Sequence, residues 1–211
     1  MAGKTKIGLL GGTFNPIHNS HIHLARQYTQ QLSLDKIIIV PTFTPPHKKV
    51  ENLASGEDRY NMCRLATRDL PLFHVTRFEL EQQGKSYTYK TLRHILGEYP
   101  GSELFLIVGA DMFLTIQDWR HPAEIFKMAT ICGGQREAGE QAMLEAHRQV
   151  LEAGGARCAV ISLEAKPLSS TQVREMIATG RNPEGLLHPD VWSYIVERGL
   201  YSHPGSARSL Q

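Results

Sequence analysis

The 211-residue chain is 41% hydrophobic and 21% charged, a balance that supports one substantial core and excludes a disordered polypeptide. Its formal net charge of +2 gives no broad field for nucleic acid, although ten histidines can make a local anion pocket. No apolar run nears the ~20 residues of a membrane span, and Ile7-Gly8-Leu9-Leu10 is too short for a secretory core, so neither a membrane nor a nucleic acid is an expected partner.

Six short β-branched or apolar runs succeed one another: Lys6 to Leu10, Lys36 to Val40, Phe73 to Phe78, Leu104 to Val108, Ala129 to Cys132, and Cys158 to Leu163. Between them lie amphipathic stretches at helical spacing, among them Ser20 to Leu32, Glu57 to Leu70, Thr88 to Tyr99 and Glu137 to Ala153. This alternation predicts an α/β fold with a doubly wound parallel sheet and helices on both faces, in which ligands bind beyond the carboxyl ends of the strands. One domain is expected over 1–201, with a small C-terminal helical subdomain over about 168–201, while 202–211 reads as a flexible tail. Cys63, Cys132 and Cys158 form no C-x-x-C pair, which predicts reduced thiols in a cytoplasmic protein.

Ile7 to Ala25 concentrates the chemistry. A strand runs into Gly11-Gly12, the turn Thr13-Phe14-Asn15-Pro16 follows, and His18 and His21 open a helix. A helix start offers unpaired N–H groups and partial positive charge, and histidines three apart turn toward one side, so the pattern suits a phosphate. A tight connection alone, or a metal site at His18, His21 and His23, are the other readings, though no cysteine or carboxylate stands near at ligand spacing. Gly8 to Gly12 lacks the G-x-G-x-x-G spacing, and Gly3-Lys4-Thr5 lacks the strand and glycine of a Walker loop.

Farther on, prolines stiffen Pro41 to Lys49 and would present His47 and Lys48 from a strand end, unless that loop is only a solvated basic surface. Ser86 or Thr88 is expected to cap the next helix. Gly109-Ala110-Asp111 ends the fourth strand and places a carboxylate for a ribose hydroxyl or a helix cap. Trp119, beside Arg120, reads either as core or as a stacking plate. Ser169 and Gln172 match a capping box, so Ser170 and Thr171, with Arg174 one turn in, would make a second anion site. Pro189 to Arg198 is a last amphipathic helix, stopped by Gly199.

In order and number these pieces resemble the nucleotidyltransferase superfamily and, within it, the bacterial nicotinate mononucleotide adenylyltransferase family. The resemblance rests on Gly11-Gly12-Thr13-Phe14-Asn15-Pro16-Ile17-His18 with His21, Pro45-Pro46-His47-Lys48, Ser86-Tyr87-Thr88 with Thr91-Leu92, Gly109-Ala110-Asp111 with Trp119, Ser169-Ser170-Thr171 with Arg174, and Tyr194-Ile195 with Gly199-Leu200-Tyr201. It implies a Rossmann-like fold that joins ATP and nicotinate mononucleotide into deamido-NAD and pyrophosphate, assisted by Mg²⁺ held on phosphates rather than by a protein metal site. A homo-oligomer is left open.

On that resemblance, His18, His21, Lys48 and Arg174 are the catalytic residues. ATP would meet Gly11, Gly12, Thr13, Phe14, His18, His21, Gly109, Asp111, Ser170, Thr171 and Arg174, and the mononucleotide would meet Asn15, His47, Lys48, Ser86, Tyr87, Thr88, Trp119 and Arg120. Three positions depart from the family pattern: Ser20 replaces a glycine, Asn15 stands where Asp is common, and Gly133-Gly134-Gln135-Arg136 replaces an Arg-Pro-Gly segment, with Arg136 the candidate substitute. Two rival readings are an enzyme that adenylylates phosphopantetheine and a nucleotide-binding module without catalysis.

Overall fold

The computed structural model describes residues 3–43, 52–82, 84–135, 139–164 and 168–202. Its strands are β1 (Lys6–Gly12), β2 (Lys36–Pro41), β3 (Phe73–Val75), β4 (Glu103–Val108), β5 (Ala129–Gln135) and β6 (Arg157–Ser162). Its helices are α1 (Asn19–Leu32), α2 (Gly56–Thr67), α3 (Phe78–Glu81), α4 (Thr88–Glu98), α5 (Ala110–Phe113), α6 (Pro122–Met128), α7 (Glu140–Ala153), α8 (Ser170–Ala178) and α9 (Pro189–Glu197), with a 3₁₀ turn over Ile116–Asp118. Two compact units result, the first from Met1–Gly11, Ala25–Val40 and Tyr87–Ala165, the second from Gly12–Leu24, Pro41–Ser86 and Lys166–Gln211.

In the first unit the strands stand in the order β2-β1-β4-β5-β6. Parallel registers place Ile7 opposite Leu104, Leu106 opposite Ile131, and Cys132 opposite Ala159. Consecutive residues of β1 and β2, Ile7 to Leu10 and Ile37 to Pro41, are buried, as strands covered on both faces require. Strand order reverses between β1 and β4, and the carboxyl ends of these two strands deliver Gly11 and Gly109. Ile7, Leu9, Leu104, Leu106 and Ile131 share one core with Leu92 and Ile95 of α4 and Leu144 and Leu151 of α7. Each such fully buried side chain contributes about 1.5–3 kcal/mol.

β5 depends on a side chain's absence. A Cβ on Gly134 would stand 2.1 Å from Leu163 Cδ1 and 2.7 Å from the Tyr28 hydroxyl. Gly134 therefore stands in a strand packed too closely for a larger residue, and Arg136 falls outside the described residues.

Several element ends differ from expectation for local reasons. β3 stops at Val75 because the Thr76 hydroxyl accepts from the Phe78 N–H at 3.2 Å and turns the chain into α3. α2 stops at Thr67, whose hydroxyl donates back to Cys63 O at 2.9 Å, and Leu70 N–H closes a turn on Thr67 O at 3.0 Å. Neither Ser86 nor Thr88 caps α4; Tyr87 occupies the cap position without a side-chain bond. All three cysteines are free, and burial pushes their thiols up, Cys158 to about 11.

In the second unit, α2 packs on α9 through Asp58, a buried carboxylate that accepts from Ser55 Oγ at 2.6 Å, Tyr194 Oη at 2.9 Å and Arg198 Nε at 3.3 Å. Burial raises its pKa, but the bonds from Ser55 and Tyr194 and the Arg198 charge outweigh burial and leave it below the ordinary carboxylate value.

Gly134→Ala is expected to destabilise the fold by about 1–3 kcal/mol in urea titration, because Leu163 and Tyr28 must move. Asp58 is depressed on folding, so its stabilisation is complete above the unfolded carboxylate pKa and drains away as pH falls through the lower folded value. Asp58→Asn should lower stability near neutrality and flatten that acid limb, read from urea midpoints across pH.

Candidate active site

The second unit holds the turn after β1. Thr42 N–H donates to Gly12 O at 3.0 Å. Phe14 is buried with φ of 49°, and its ring covers Gly12 so closely that a Cβ there would lie 2.9 Å from Phe14 Cζ. The Asn15-Pro16 peptide is cis. A non-glycine residue in the left-handed region is costly, and buried contacts around the turn hold it there.

Those contacts converge on Asn15, which is 1% exposed. Its amide donates to Asn52 O at 3.1 Å, and its side-chain oxygen accepts from Ala54 N at 3.0 Å and Tyr201 Oη at 2.8 Å. Its backbone carbonyl accepts from Arg174 Nη1 at 2.8 Å, and the Pro16 carbonyl accepts from Ser170 Oγ at 2.8 Å. α8 begins with the expected reciprocal capping box between Ser169 and Gln172. Its start is thus bonded to the turn, with the Ser170 proton and part of the Arg174 guanidinium engaged by backbone, while Arg174 Nη2 reaches exposed Thr171 Oγ1 at 3.3 Å.

His18 is buried and His21 half-buried; their ring centroids are 3.8 Å apart, and His21 meets the Phe14 ring edge-on at 5.2 Å. The His18 backbone N–H donates to His21 Nδ1 at 3.2 Å. An Nδ1 that accepts a bond leaves the proton of the neutral ring on Nε2, so His21 presents an N–H donor. Ser20 lies half-buried in the first turn of α1. Ser86 Oγ accepts from Phe43 N–H at 3.2 Å. His47 and Lys48 lie outside the described residues.

Arg59 is the residue that sequence reading missed. It is 1% exposed, and its Nε, Nη1 and Nη2 donate to the carbonyls of Ala54, Thr13 and Phe43 at 3.1, 2.8 and 3.2 Å. The available signal was its place on the apolar stripe of α2: Arg59, Met62, Cys63 and Ala66 fall at i, i+3, i+4 and i+7, and all four are buried.

In the first unit, Gly11 is exposed, with open space where a Cβ would point. Gly109 precedes the four-residue α5, and Asp111 is exposed in its first turn rather than capping it. Tyr87 and Thr88 sit half-buried at the start of α4, the Tyr87 ring 6.2 Å from that of Tyr89. Trp119 ends the 3₁₀ turn, half-buried against the core, with its N–H donating to Ile116 O at 3.1 Å; Arg120 beside it is exposed. Among the described residues no three His, Cys, Asp or Glu side chains gather into a metal site.

The cytidylyltransferase-like family profile matches residues 9–176, which makes this a nucleotidyltransferase-type α/β protein whose first strand ends in Gly11-Gly12 and whose following turn leads to the tilted His18–His21 pair. Within that class the chain belongs to the nicotinate-nucleotide adenylyltransferase family. It is 36% identical over 198 residues to a protein of Listeria innocua named a probable nicotinate-nucleotide adenylyltransferase, covering 94% of this chain and 98% of the relative. A protein of the same name from Geotalea uraniireducens is 34% identical over 93% of this chain and 98% of its own length. Solved structures of the Plasmodium falciparum nicotinic acid mononucleotide adenylyltransferase, one complexed with APC and one with NaAD, share the fold with TM-scores of 0.72 and 0.73 at 16% identity, covering 93% of this chain and 97% of theirs.

The His21 geometry predicts its neutral tautomer. ¹⁵N NMR of the imidazole should show the proton on Nε2, and a dominant Nδ1–H signal would contradict the bond from His18 N–H.

Proposed function

We propose that this chain transfers AMP from ATP to nicotinate mononucleotide, releasing deamido-NAD and pyrophosphate, in the cytoplasm. The observation that carries the reading is the His18–His21 pair at the end of the Gly12–Phe14 turn, in a chain whose relatives bear the name of that activity.

An oxygen of the mononucleotide's 5′-phosphate attacks the α-phosphorus of ATP, a new P–O bond forms, and the bond to pyrophosphate breaks. The substrate brings its own nucleophile, so alignment and charge stabilisation remain for the protein. His21 donates from Nε2 to the α-phosphate and pyrophosphate oxygens, and His18 supports it. Thr171, the Arg174 N–H groups not given to Asn15 O, and Lys48 answer the other phosphate oxygens. Ser170 contributes its backbone N–H because its hydroxyl proton goes to Pro16 O, and Gly11 permits close approach of backbone, the Cβ side of Gly12 being covered by Phe14. Gly109 and Asp111 meet the nucleoside of ATP. Mg²⁺ would assist as an ion held mainly by phosphates and water, and it would supply neutralisation of phosphate charge when bound.

Nicotinate mononucleotide carries a cationic ring, which the face of half-buried Trp119 attracts by ~0.5–2 kcal/mol. Backbone N–H groups near Thr88 and Arg120 read the ring carboxylate, a choice that an amide satisfies less well. His47, Ser86 and Tyr87 complete the mononucleotide side. Asn15 acts there indirectly, by shaping the turn through its three side-chain hydrogen bonds.

The deciding assay measures pyrophosphate release from ATP and Mg²⁺ with nicotinate mononucleotide, its amide, and phosphopantetheine offered separately. Turnover should be greatest with the acid; turnover with phosphopantetheine alone, or binding of ATP with no release, would select a rival reading. His21→Ala should lower kcat by ~10²-fold or more while the protein stays folded. Trp119→Ala should raise KM for the mononucleotide more than KM for ATP, whereas a loss of thermal stability with unchanged kinetics would make Trp119 a core residue only.

A further inference from the structure

Arg59 is built into the second unit in a way that hydrogen bonding alone does not require. A guanidinium is always charged, and burying one is costly unless its charge is answered. Here all three nitrogens meet neutral carbonyls, and among the described residues no carboxylate pairs with it. The titratable neighbours that act on its charge are the Cys63 thiol and the Tyr201 phenol. Burial pushes both of those groups up, so both are neutral and leave the Arg59 charge uncancelled.

The carbonyls it grips are not arbitrary. Thr13 lies between Gly12 and left-handed Phe14, in the turn that leads to His18 and His21. Phe43 follows β2, four residues before His47 in sequence, and its N–H is held by Ser86. Ala54 is the residue whose N–H binds Asn15 Oδ1. One side chain thus ties three separate stretches that meet at the turn, and it does so with a cation.

We propose that Arg59 is a positioning residue for adenylyl transfer: its fork fixes the Thr13 and Phe43 backbone so that the histidine turn is aimed, and its uncancelled charge draws the triphosphate to that turn. The proposal rests on the adenylyltransferase reading, and lysine and glutamine substitutions separate its two parts. Lysine keeps the charge and loses the fork, whereas glutamine loses both, so the difference between the two variants isolates the charge.

The test compares wild type, Arg59→Lys and Arg59→Gln by steady-state kinetics at low and high salt, with near-UV circular dichroism to normalise for folded protein and calorimetry of ATP binding. Arg59→Lys should lose about 10-fold or more in kcat with KM for ATP within about threefold of wild type. Arg59→Gln should raise KM and Kd for ATP about 10-fold at low salt, the gap to wild type narrowing as salt screens the field. Unchanged kinetics and ATP binding in folded variants, losses that track the folded fraction alone, or failure of both variants to fold would make Arg59 a structural residue and overturn the proposal. If wild type itself releases no pyrophosphate, the adenylyltransferase reading fails, and the ATP-binding comparison still decides the role of Arg59's charge.

Discussion

A turn that leaves its strand without entering regular structure must have its polar backbone answered by side chains, and in the second unit that demand falls on Asn15 and Arg59. Between them they bind the backbone of Asn52, Ala54, Thr13 and Phe43, while Arg174, Ser170 and Tyr201 return bonds to Asn15 and Pro16. Buried polar networks of this kind are strong when every member is satisfied and costly when one is lost. That network holds the turn which leads to His18 and His21.

The same network gives a reason for an amide rather than a carboxylate at position 15. Asn15 uses its amide N–H toward the Asn52 carbonyl and its oxygen toward Ala54 N–H and Tyr201. An aspartate could keep the two accepted bonds but would set a carboxylate oxygen against a carbonyl. In this chain the amide is the matching group.

Much of the fold was legible because it rests on local signals. Each of the six expected runs contains a strand, though the third is one only over Phe73–Val75; the α8 capping box and the i, i+3 pairing of His18 and His21 follow from short-range spacing. The missed features depend on partners far away in sequence. Ser86 reads locally as a helix cap, yet its oxygen is taken by Phe43 N–H, 43 residues back. Glu57-Asp58-Arg59 opens an amphipathic stretch, yet Asp58 and Arg59 are buried because Tyr194 and Arg198 bond Asp58 while the carbonyls of nearby Ala54 and of distant Phe43 and Thr13 receive Arg59. Ser170 reads as a free phosphate donor, but its proton goes to Pro16 O. No local pattern names such partners, although a charge on an apolar stripe announces that one is needed.

The bond from Tyr201 to Asn15 spans 186 residues, and that from Arg174 spans 159. Contacts between such distant stretches pay their loop-closure entropy before they repay it, so they form late in folding. A ribosome making this chain releases β1 early, yet the turn directly after it gains its last two fastenings only when Arg174 and Tyr201 have emerged. The histidine turn is therefore synthesised well before two of its own fastenings and takes its final shape only after both have emerged.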